Sequence, residues 1–263
     1  MSSPTPRRWP ERLWLVRHGQ SSGNVARDQA DAAGLPVIDI QIRDMDVPLS
    51  DLGRQQSAAL GKWFAGLAAD ERPGVVLSSP YSRARQTAEI IEAAGGTHPA
   101  ATISVDERLR EKEFGILDRL TRAGIVERFP EQAEARNRTG KFYHRPPGGE
   151  SWCDVILRLR SVLDTISLHY SHPDSRVLIV AHQVIVLCFR YLIEELSEEQ
   201  ILAIDRQGDV ANCGVTEYCL RPAEAAPGGS PERLQLVHYN FVAPLQEQGA
   251  PVTATPDLPG SRQ

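Results

Sequence analysis

Residues 13–24 read LWLVRHGQSSGN, a short and largely apolar run followed by a polar loop with two glycines. An apolar run of this length that ends in turn-forming residues is typical of a buried β-strand, so we predict a strand over 13–17. The strongest apolar run in the chain, RVLIVA at 176–181, predicts a second buried strand. His18 and His182 each come directly after one of these strands.

Strand and helix patterns alternate along the rest of the chain. Further strands are predicted over 75–77, 101–105, 214–220 and 233–239, the last two separated by the turn AEAAPGGSP at 223–231. Apolar spacing and capping residues predict helices after Ser50, over 81–94, over 121–136, after the capping pair Ser151 and Asp154, and over 184–195. Residues 25–48 show no clean period and are predicted to form an irregular connection.

This alternation predicts the fold class. Strands that alternate with helices form a mainly parallel sheet with helices on both faces, which is a three-layer α/β/α sandwich. We expect one domain over 13–243, preceded by a tail over 1–12 and followed by a flexible C-terminal tail over 244–263. The four cysteines form no C-x-x-C pair and no recognisable disulfide framework, which a reducing compartment would allow.

Charge and hydropathy exclude several classes of partner. The net charge is −5, and the Lys and Arg residues are scattered rather than clustered, which argues against nucleic-acid binding. No segment approaches the run of about 20 apolar residues that a membrane-spanning helix needs. The first residues also lack the apolar core of a secretory signal. We therefore expect a cytoplasmic protein with neither a nucleic acid nor a membrane as partner, and the oligomeric state stays open.

The predicted strand ends bring cationic and imidazole side chains together. In a parallel sheet, ligands bind beyond the carboxyl ends of the strands. Arg17 and His18 follow the first strand, and His182 follows the strongest one. Arg83 comes shortly after the strand over 75–77. Two arginines and two histidines should therefore meet at one edge of the sheet.

Motifs of several other phosphate and hydrolase chemistries are missing. The sequence has no G-x-x-x-x-G-K-S/T loop, and no G-x-G-x-x-G follows a predicted strand. The segment 149–153 lacks the last glycine of a serine elbow, and no cysteine is followed six residues later by arginine. The other histidines form no H-x-H or H-E-x-x-H pair, so we expect neither a metal ion nor another cofactor.

The sequence Arg17-His18-Gly19 contains part of what metal-independent phosphoryl transfer requires, although by itself this tripeptide is a weak signal. The transferring group needs positive charge on its equatorial oxygens, a positioned nucleophile and a proton for the leaving oxygen. Arg17 can bind two phosphate oxygens, and Gly19 lets the backbone approach closely. His18, as a neutral imidazole, is a nucleophile that works at neutral pH without an activating base.

The stretch LWLVRHGQSSGN resembles the signature of the histidine phosphatase superfamily, which includes the phosphoglycerate mutases. The similarity continues in order along the chain through PLSDLGRQQ (48–56), VVLSSPYSRARQTA (75–88), RLREKEFG (108–115), PPGGESWCDV (146–155) and VLIVAHQ (177–183). Several motifs in the same order are far more specific than one. The chain is therefore identified as a member of this superfamily, in its phosphatase branch.

The resemblance implies a role for each residue that matches a family motif. His18 resembles the histidine that becomes phosphorylated, and Arg17 and Arg83 resemble the two arginines that bind the phosphoryl group. His182 matches the second histidine, which donates to the phosphoryl oxygens. Asn24 matches an asparagine that contacts the phosphate.

The acid is implied by the segment LREKEFG. By resemblance, Glu111 protonates the leaving oxygen and then deprotonates the attacking water. Glu113, two residues later, is the alternative acid.

The family contains mutases and phosphatases, and the motifs favour a phosphatase. Phosphoglycerate mutases typically have a tryptophan just before the asparagine that Asn24 matches, whereas this chain has none between Gln20 and Asn24. A tyrosine of the family motif is replaced by Phe114, which loses a hydroxyl donor. We expect a phosphatase that acts on a small phosphorylated metabolite, with a phosphoglycerate mutase as the alternative.

Two further alternatives concern the substrate and the class of protein. The segments RPPGGES and AHQ also resemble the bisphosphatase that acts on fructose 2,6-bisphosphate, but its lysine and arginine are replaced here by Gly148 and Leu187. Gln183 and Arg145 are predicted as further substrate contacts. A third alternative is a non-catalytic scaffold that binds phosphorylated ligands or partner proteins. Such a scaffold would usually have lost a catalytic residue, and this chain retains the whole set.

Overall fold

Among the described residues, 8–222 and 232–254, a six-stranded sheet forms the centre of the molecule. In this computed structural model the strands are β1 (Arg12–Arg17), β2 (Val75–Ser78), β3 (Thr102–Val105), β4 (Arg176–Ala181), β5 (Val215–Pro222) and β6 (Glu232–Phe241). Their order across the sheet is β3-β2-β4-β1-β5-β6. The first four run parallel, whereas β5 lies antiparallel to β1 and β6 lies antiparallel to β5. The mainly parallel sheet is therefore confirmed.

Helices surround this sheet. They are α1 (Ser22–Ala32), α2 (Asp51–Ala65), α3 (Ser82–Ala93), α4 (Arg122–Arg128), α5 (Pro130–Tyr143), α6 (Trp152–His169), α7 (Gln183–Ile193), α8 (Glu198–Gln207) and α9 (Ala243–Glu247). The helical region predicted over 121–136 contains two helices, because Pro130 favours the first turn of a helix and cannot continue a preceding one. Over the described ranges, no helix is both long and apolar enough to cross a membrane.

Successive residues of β1 face opposite helix layers. Leu13 and Leu15 pack in a core with residues of α6 and α7. Trp14 and Val16 pack in a second core with residues of α2 and α3. A strand that is covered on both faces is apolar at every position rather than at every second one, which explains the unbroken run LWLV. The predicted three-layer α/β/α arrangement is confirmed.

The prediction of an irregular connection over 25–48 is wrong for its first part, because α1 occupies residues 22–32. Ser21 caps this helix by accepting from the backbone N–H of Asn24 at 3.0 Å. The buried residues of α1 are Asn24, Arg27 and Ala30. Since two of these three are polar, the helix has no apolar stripe that a search for hydrophobic periodicity could detect.

The chain after β6 packs on the domain, where the sequence predicts a flexible tail from residue 244. Leu245 in α9 is fully buried. The side chain of Gln56 donates to the carbonyl of Pro251 at 2.8 Å, and the backbone N–H of Asn212 donates to the carbonyl of Thr253 at 2.8 Å. The predicted turn AEAAPGGSP and the last residues of the predicted tail, 255–263, lie outside the described residues, as do residues 1–7.

Candidate active site

The ends of β1 and β4 place two histidines side by side. Arg17 is paired with Ala181 in the parallel register, and the backbone N–H of His18 donates to the carbonyl of Ala181 at 2.9 Å. His18 and His182 are both fully buried, and their ring centroids lie 5.2 Å apart. The structure therefore brings together the two histidines that the strand ends predict.

The loop after β1 holds the ring of His18 in one tautomer. His18 Nδ1 lies 2.7 Å from the carbonyl oxygen of Gly19. Because a carbonyl oxygen only accepts, the proton is on Nδ1 and the lone pair is on Nε2. Nε2 is therefore the ring atom that can attack phosphorus. The close packing of this loop also requires a glycine at position 19, since a Cβ there would lie 2.5 Å from the carbonyl oxygen of Gly53.

The ring of His182 is held between a serine and a buried glutamate. Its Nε2 lies 2.7 Å from Ser79 Oγ, and its Nδ1 lies 3.7 Å from Glu111 Oε2. The carboxylate of Glu111 is 1% exposed, and its Oε1 accepts from the backbone N–H of Lys112 at 2.8 Å. A carboxyl group thus lies next to the second histidine, within the same buried group of side chains.

Both predicted phosphate arginines are buried at this edge of the sheet. Arg17 ends β1 and donates from Nη1 to the carbonyl of Val210 at 2.5 Å. Arg83, in the first turn of α3, stacks on the ring of Tyr81 at 4.8 Å. That ring in turn lies 5.0 Å from the ring of His182. The chain Arg83–Tyr81–His182 therefore connects the arginine of α3 with the end of β4.

Residues 13–226 match the family model of the histidine phosphatase superfamily (branch 1). The matched range contains every residue of the group just described. The chain belongs to the histidine phosphatase superfamily. The family resemblance that the sequence motifs indicated is thereby confirmed.

Relatives and solved structures of this superfamily point to an enzyme of the phosphatase or mutase type. The chain is 30% identical over 222 residues to a phosphoglycerate mutase-like protein of Arabidopsis thaliana, covering 78% of this chain and 72% of that protein. It is 32% identical over 180 residues to a 6-phosphofructo-2-kinase/fructose-2,6-bisphosphatase of Caenorhabditis elegans, covering 68% of this chain but only 33% of that protein. A mycobacterial glucosyl-3-phosphoglycerate phosphatase, solved as a complex with VO3, shares 25% identity and a TM-score of 0.64, covering 88% of this chain and 99% of that chain.

Asn24, which the sequence predicts to contact the phosphate, also caps α1. Its Oδ1 accepts from the backbone N–H of Ser21 at 2.9 Å and from Ser21 Oγ at 3.0 Å. Capping therefore uses the acceptor end of the amide, whereas an anion requires the donor end, Nδ2. The side chain amide of Asn212, which has no sequence signal, donates to the carbonyl of His18 at 3.1 Å and supports the same loop.

Of the remaining predicted site residues, only Gln183 lies beside the two histidines. Gln183, at the start of α7, is buried next to His182 and donates to Asp209 Oδ1 at 2.8 Å. Arg145 is not brought to the group of histidines: its exposed guanidinium forms a two-pronged ion pair with Asp154. Glu113 is exposed and accepts from the hydroxyl of Tyr81 at 3.3 Å. Burial and contact with His182 distinguish Glu111 from this alternative acid.

A pocket beside the group contains residues that the sequence analysis missed. Arg27 and Asp44 line it together with Asn24 and Arg83. Arg27 follows Asn24 by three residues, so recognition of α1 as a helix would have placed the two on one face. In the part of the chain that the structure describes, no three His, Cys, Asp or Glu side chains form a group that could hold a metal ion.

The carboxylate of Asp44 contacts both terminal nitrogens of Arg83. Arg83 Nη1 and Nη2 each lie 3.1 Å from one carboxylate oxygen of Asp44, and Nη1 also donates to its carbonyl at 2.7 Å. A phosphate that binds Arg83 through both nitrogens must displace this carboxylate. Asp44 is therefore a competitor for the arginine that the superfamily motif assigns to phosphate.

We expect the substitution Asp44→Asn to lower the inhibition constant of vanadate by about tenfold, because the charged competitor of Arg83 is removed, a difference of about 1.4 kcal/mol. Asp46→Asn is the matched control, since Asp46 lies in the same 3₁₀ turn but pairs with the exposed Arg43 at 2.7 Å. Inhibition by vanadate would be measured for both variants. An unchanged constant in Asp44→Asn would show that the ion pair does not compete with phosphate.

Proposed function

We propose that this protein is a phosphatase that hydrolyses a small phosphorylated metabolite through a phosphohistidine at His18. The observation that carries the proposal is the buried pair of histidine rings 5.2 Å apart. One of these rings has its lone pair on Nε2, and the other lies beside the Glu111 carboxylate at 3.7 Å. This arrangement offers a nucleophile, an imidazole donor and an acid within one group.

In the proposed first step, Nε2 of His18 attacks phosphorus and the bond from phosphorus to the ester oxygen breaks. Arg17, Arg83, Asn24 and His182 bind the equatorial oxygens, where negative charge must be stabilised. Glu111 gives its proton to the leaving oxygen, so that the product is a neutral alcohol.

In the proposed second step, water attacks the phosphorus of the phosphohistidine. Glu111, now a carboxylate, takes a proton from this water, and the N–P bond breaks to release inorganic phosphate. The glutamate ends protonated, as it began, so the cycle needs no other proton donor. A mutase would differ only in the acceptor, which is a second hydroxyl of the bound product rather than water.

Hydrolysis is favoured over transfer by the residues around the pocket. Phe114 lines the pocket without the hydroxyl that the family motif usually supplies. The loop from Gln20 to Asn24 also lacks the tryptophan that is typical of mutases. Two of the relatives described above are named for a phosphatase activity, on a sugar bisphosphate and on a glucosylated phosphoglycerate respectively. For this chain, a substrate of that general class is part of the proposal.

The proposal is tested by following both possible products with a panel of sugar phosphates, phosphoglycerates and phosphoamino acids. We expect inorganic phosphate to be released and phosphorus NMR to show no migrated phosphoryl group. Arg83→Ala should slow release by about 10²- to 10³-fold because charge stabilisation is lost. Arg85→Ala is its matched control, since Arg85 is exposed on the same helix. Migration without release would instead identify a mutase, and binding without turnover would identify a scaffold.

A further inference from the structure

A second pocket lies on the other side of Phe114, whose ring lines both pockets. This second pocket is enclosed by the segment after Glu111, by α5 and by the start of α6. Its polar lining consists mainly of the basic side chains Lys112, Arg136, Lys141 and His144. Its apolar lining includes Phe114 and Trp152. None of the residues proposed for catalysis lines it.

Of the two lysines that line this basic pocket, one is neutralised by a carboxylate and, in the described part of the chain, the other is not. Lys141 Nζ pairs with Asp205 Oδ2 at 2.5 Å, which accounts for one cation. Lys112 is 8% exposed, and its Nζ lies over the ring of Phe114 at 4.8 Å. Lys112 forms no ion pair with a carboxylate among the residues that the structure describes. Burial lowers the pKa of Lys112 to about 8, and the charge of Arg136 contributes to this decrease.

His144 supplies a second, independent sign that a ligand belongs here. The residue is 8% exposed, and within the described residues its Nε2 has no hydrogen-bond partner. An unpaired buried nitrogen costs free energy unless a ligand or a water satisfies it. The pKa of His144 is lowered by burial and further by Arg136 and Lys112. A negative charge in this pocket would reverse these repulsive effects.

We propose that the basic pocket binds a small organic anion whose carboxylate or phosphate lies between Lys112 and His144. The charged lining suits the anionic group, and Phe114 and Trp152 provide an apolar surface for its carbon skeleton. Lys112 follows the proposed acid directly in the chain, so the anion would lie close to the catalytic pocket. Two kinds of molecule carry such an anionic group. One is the substrate itself, at a position distant from the phosphate that is cleaved, and the other is a separate small molecule.

Binding is tested with sulfate, using the imidazole resonances of His144 assigned by comparison with the variant His144→Gln. Vanadate is added first to fill the catalytic pocket. Sulfate should shift the His144 resonances saturably and raise the imidazole pKa, because the anion stabilises the protonated ring against the repulsion of Arg136 and Lys112. Lys112→Met should weaken this binding by about tenfold or more. Lys62→Met, at an exposed lysine of α2, should behave as the unmodified protein.

The source of the anion is identified by a second measurement, which rests on the proposed function. The ratio of kcat/KM for 3-phosphoglycerate to that for glycerol 3-phosphate compares two esters that differ in a carboxylate. A ratio that falls about tenfold in Lys112→Met and His144→Gln assigns the anion to the substrate. If the ratio is unchanged in both variants while sulfate shifts the His144 resonances of the unmodified protein, the anion is assigned to a separate molecule.

Absence of any saturable His144 shift, or the same shift in Lys112→Met as in the unmodified protein, would overturn the proposed site. Hydrolysis of no ester in the panel of phosphorylated metabolites would instead count against the proposed function. The sulfate titration is read without turnover, so it decides on the basic pocket in either case.

Discussion

Replacing His18 with Ala should lower kcat for every phosphomonoester by at least about 10⁴-fold, because the atom that bonds to phosphorus is removed. His182 cannot take over this role in place, since its Nε2 is engaged with Ser79 Oγ at 2.7 Å. Direct attack by water would remain, but it lacks the covalent step that divides one high barrier into two lower ones.

The same variant should also lose the covalent intermediate. Brief incubation of the unmodified protein with a ³²P-labelled substrate, quenched without acid, should leave label on the protein. The label should be lost in acid and stable in alkali, as expected of a phosphoramidate. His169→Ala, at an exposed histidine of α6, should keep both label and turnover. Label that survives in His18→Ala would remove His18 as the nucleophile.

The sequence predicts the central part of this site because strand ends are easy to locate. Continuous apolar runs mark β1 and β4, and the parallel register aligns their last residues, Arg17 and Ala181. The residues directly after these strand ends are then neighbours irrespective of the conformations of the loops. For this reason the sequence alone places together two histidines that are distant in the chain.

Residues that reach the site through polar elements could not be predicted in the same way. Arg27 lies on α1, whose buried face is polar because it faces the pocket rather than an apolar core. Asp44 lies in a 3₁₀ turn within a segment that has no period of its own. Hydrophobic spacing carries no information about such segments, so their positions depend on tertiary contacts alone.

Arg145 and Gln183 show how sequence proximity to a motif can mislead. Both adjoin family motifs, but only Gln183 follows a strand end, and it is buried beside His182. Arg145 precedes the capping box of α6, where Asp154 provides a carboxylate that pairs with its guanidinium. A local ion pair of this kind fixes the direction of an exposed side chain, and the motif gives no sign of it.

Glu111→Gln should lower kcat by about 10²- to 10⁴-fold for alkyl phosphates, because an alkoxide is a poor leaving group and needs the proton. The substitution keeps the shape of the side chain and the acceptor oxygen for the backbone N–H of Lys112. For aryl phosphates the penalty should be much smaller, since a phenolate leaves readily without a proton. The ratio of the two penalties therefore reports on proton donation rather than on folding.

Glu113→Gln is the matched control for this measurement. Glu113 is exposed and contacts Tyr81, whereas Glu111 is buried beside His182, so only Glu111→Gln should separate alkyl from aryl substrates. The comparison is valid when phosphorylation of His18 limits turnover, because Glu111 also activates water in the proposed second step. Burst kinetics establish which step limits each substrate. With phosphorylation limiting, equal penalties for alkyl and aryl esters in Glu111→Gln would exclude Glu111 as the acid, and a selective penalty in Glu113→Gln would transfer the role to Glu113.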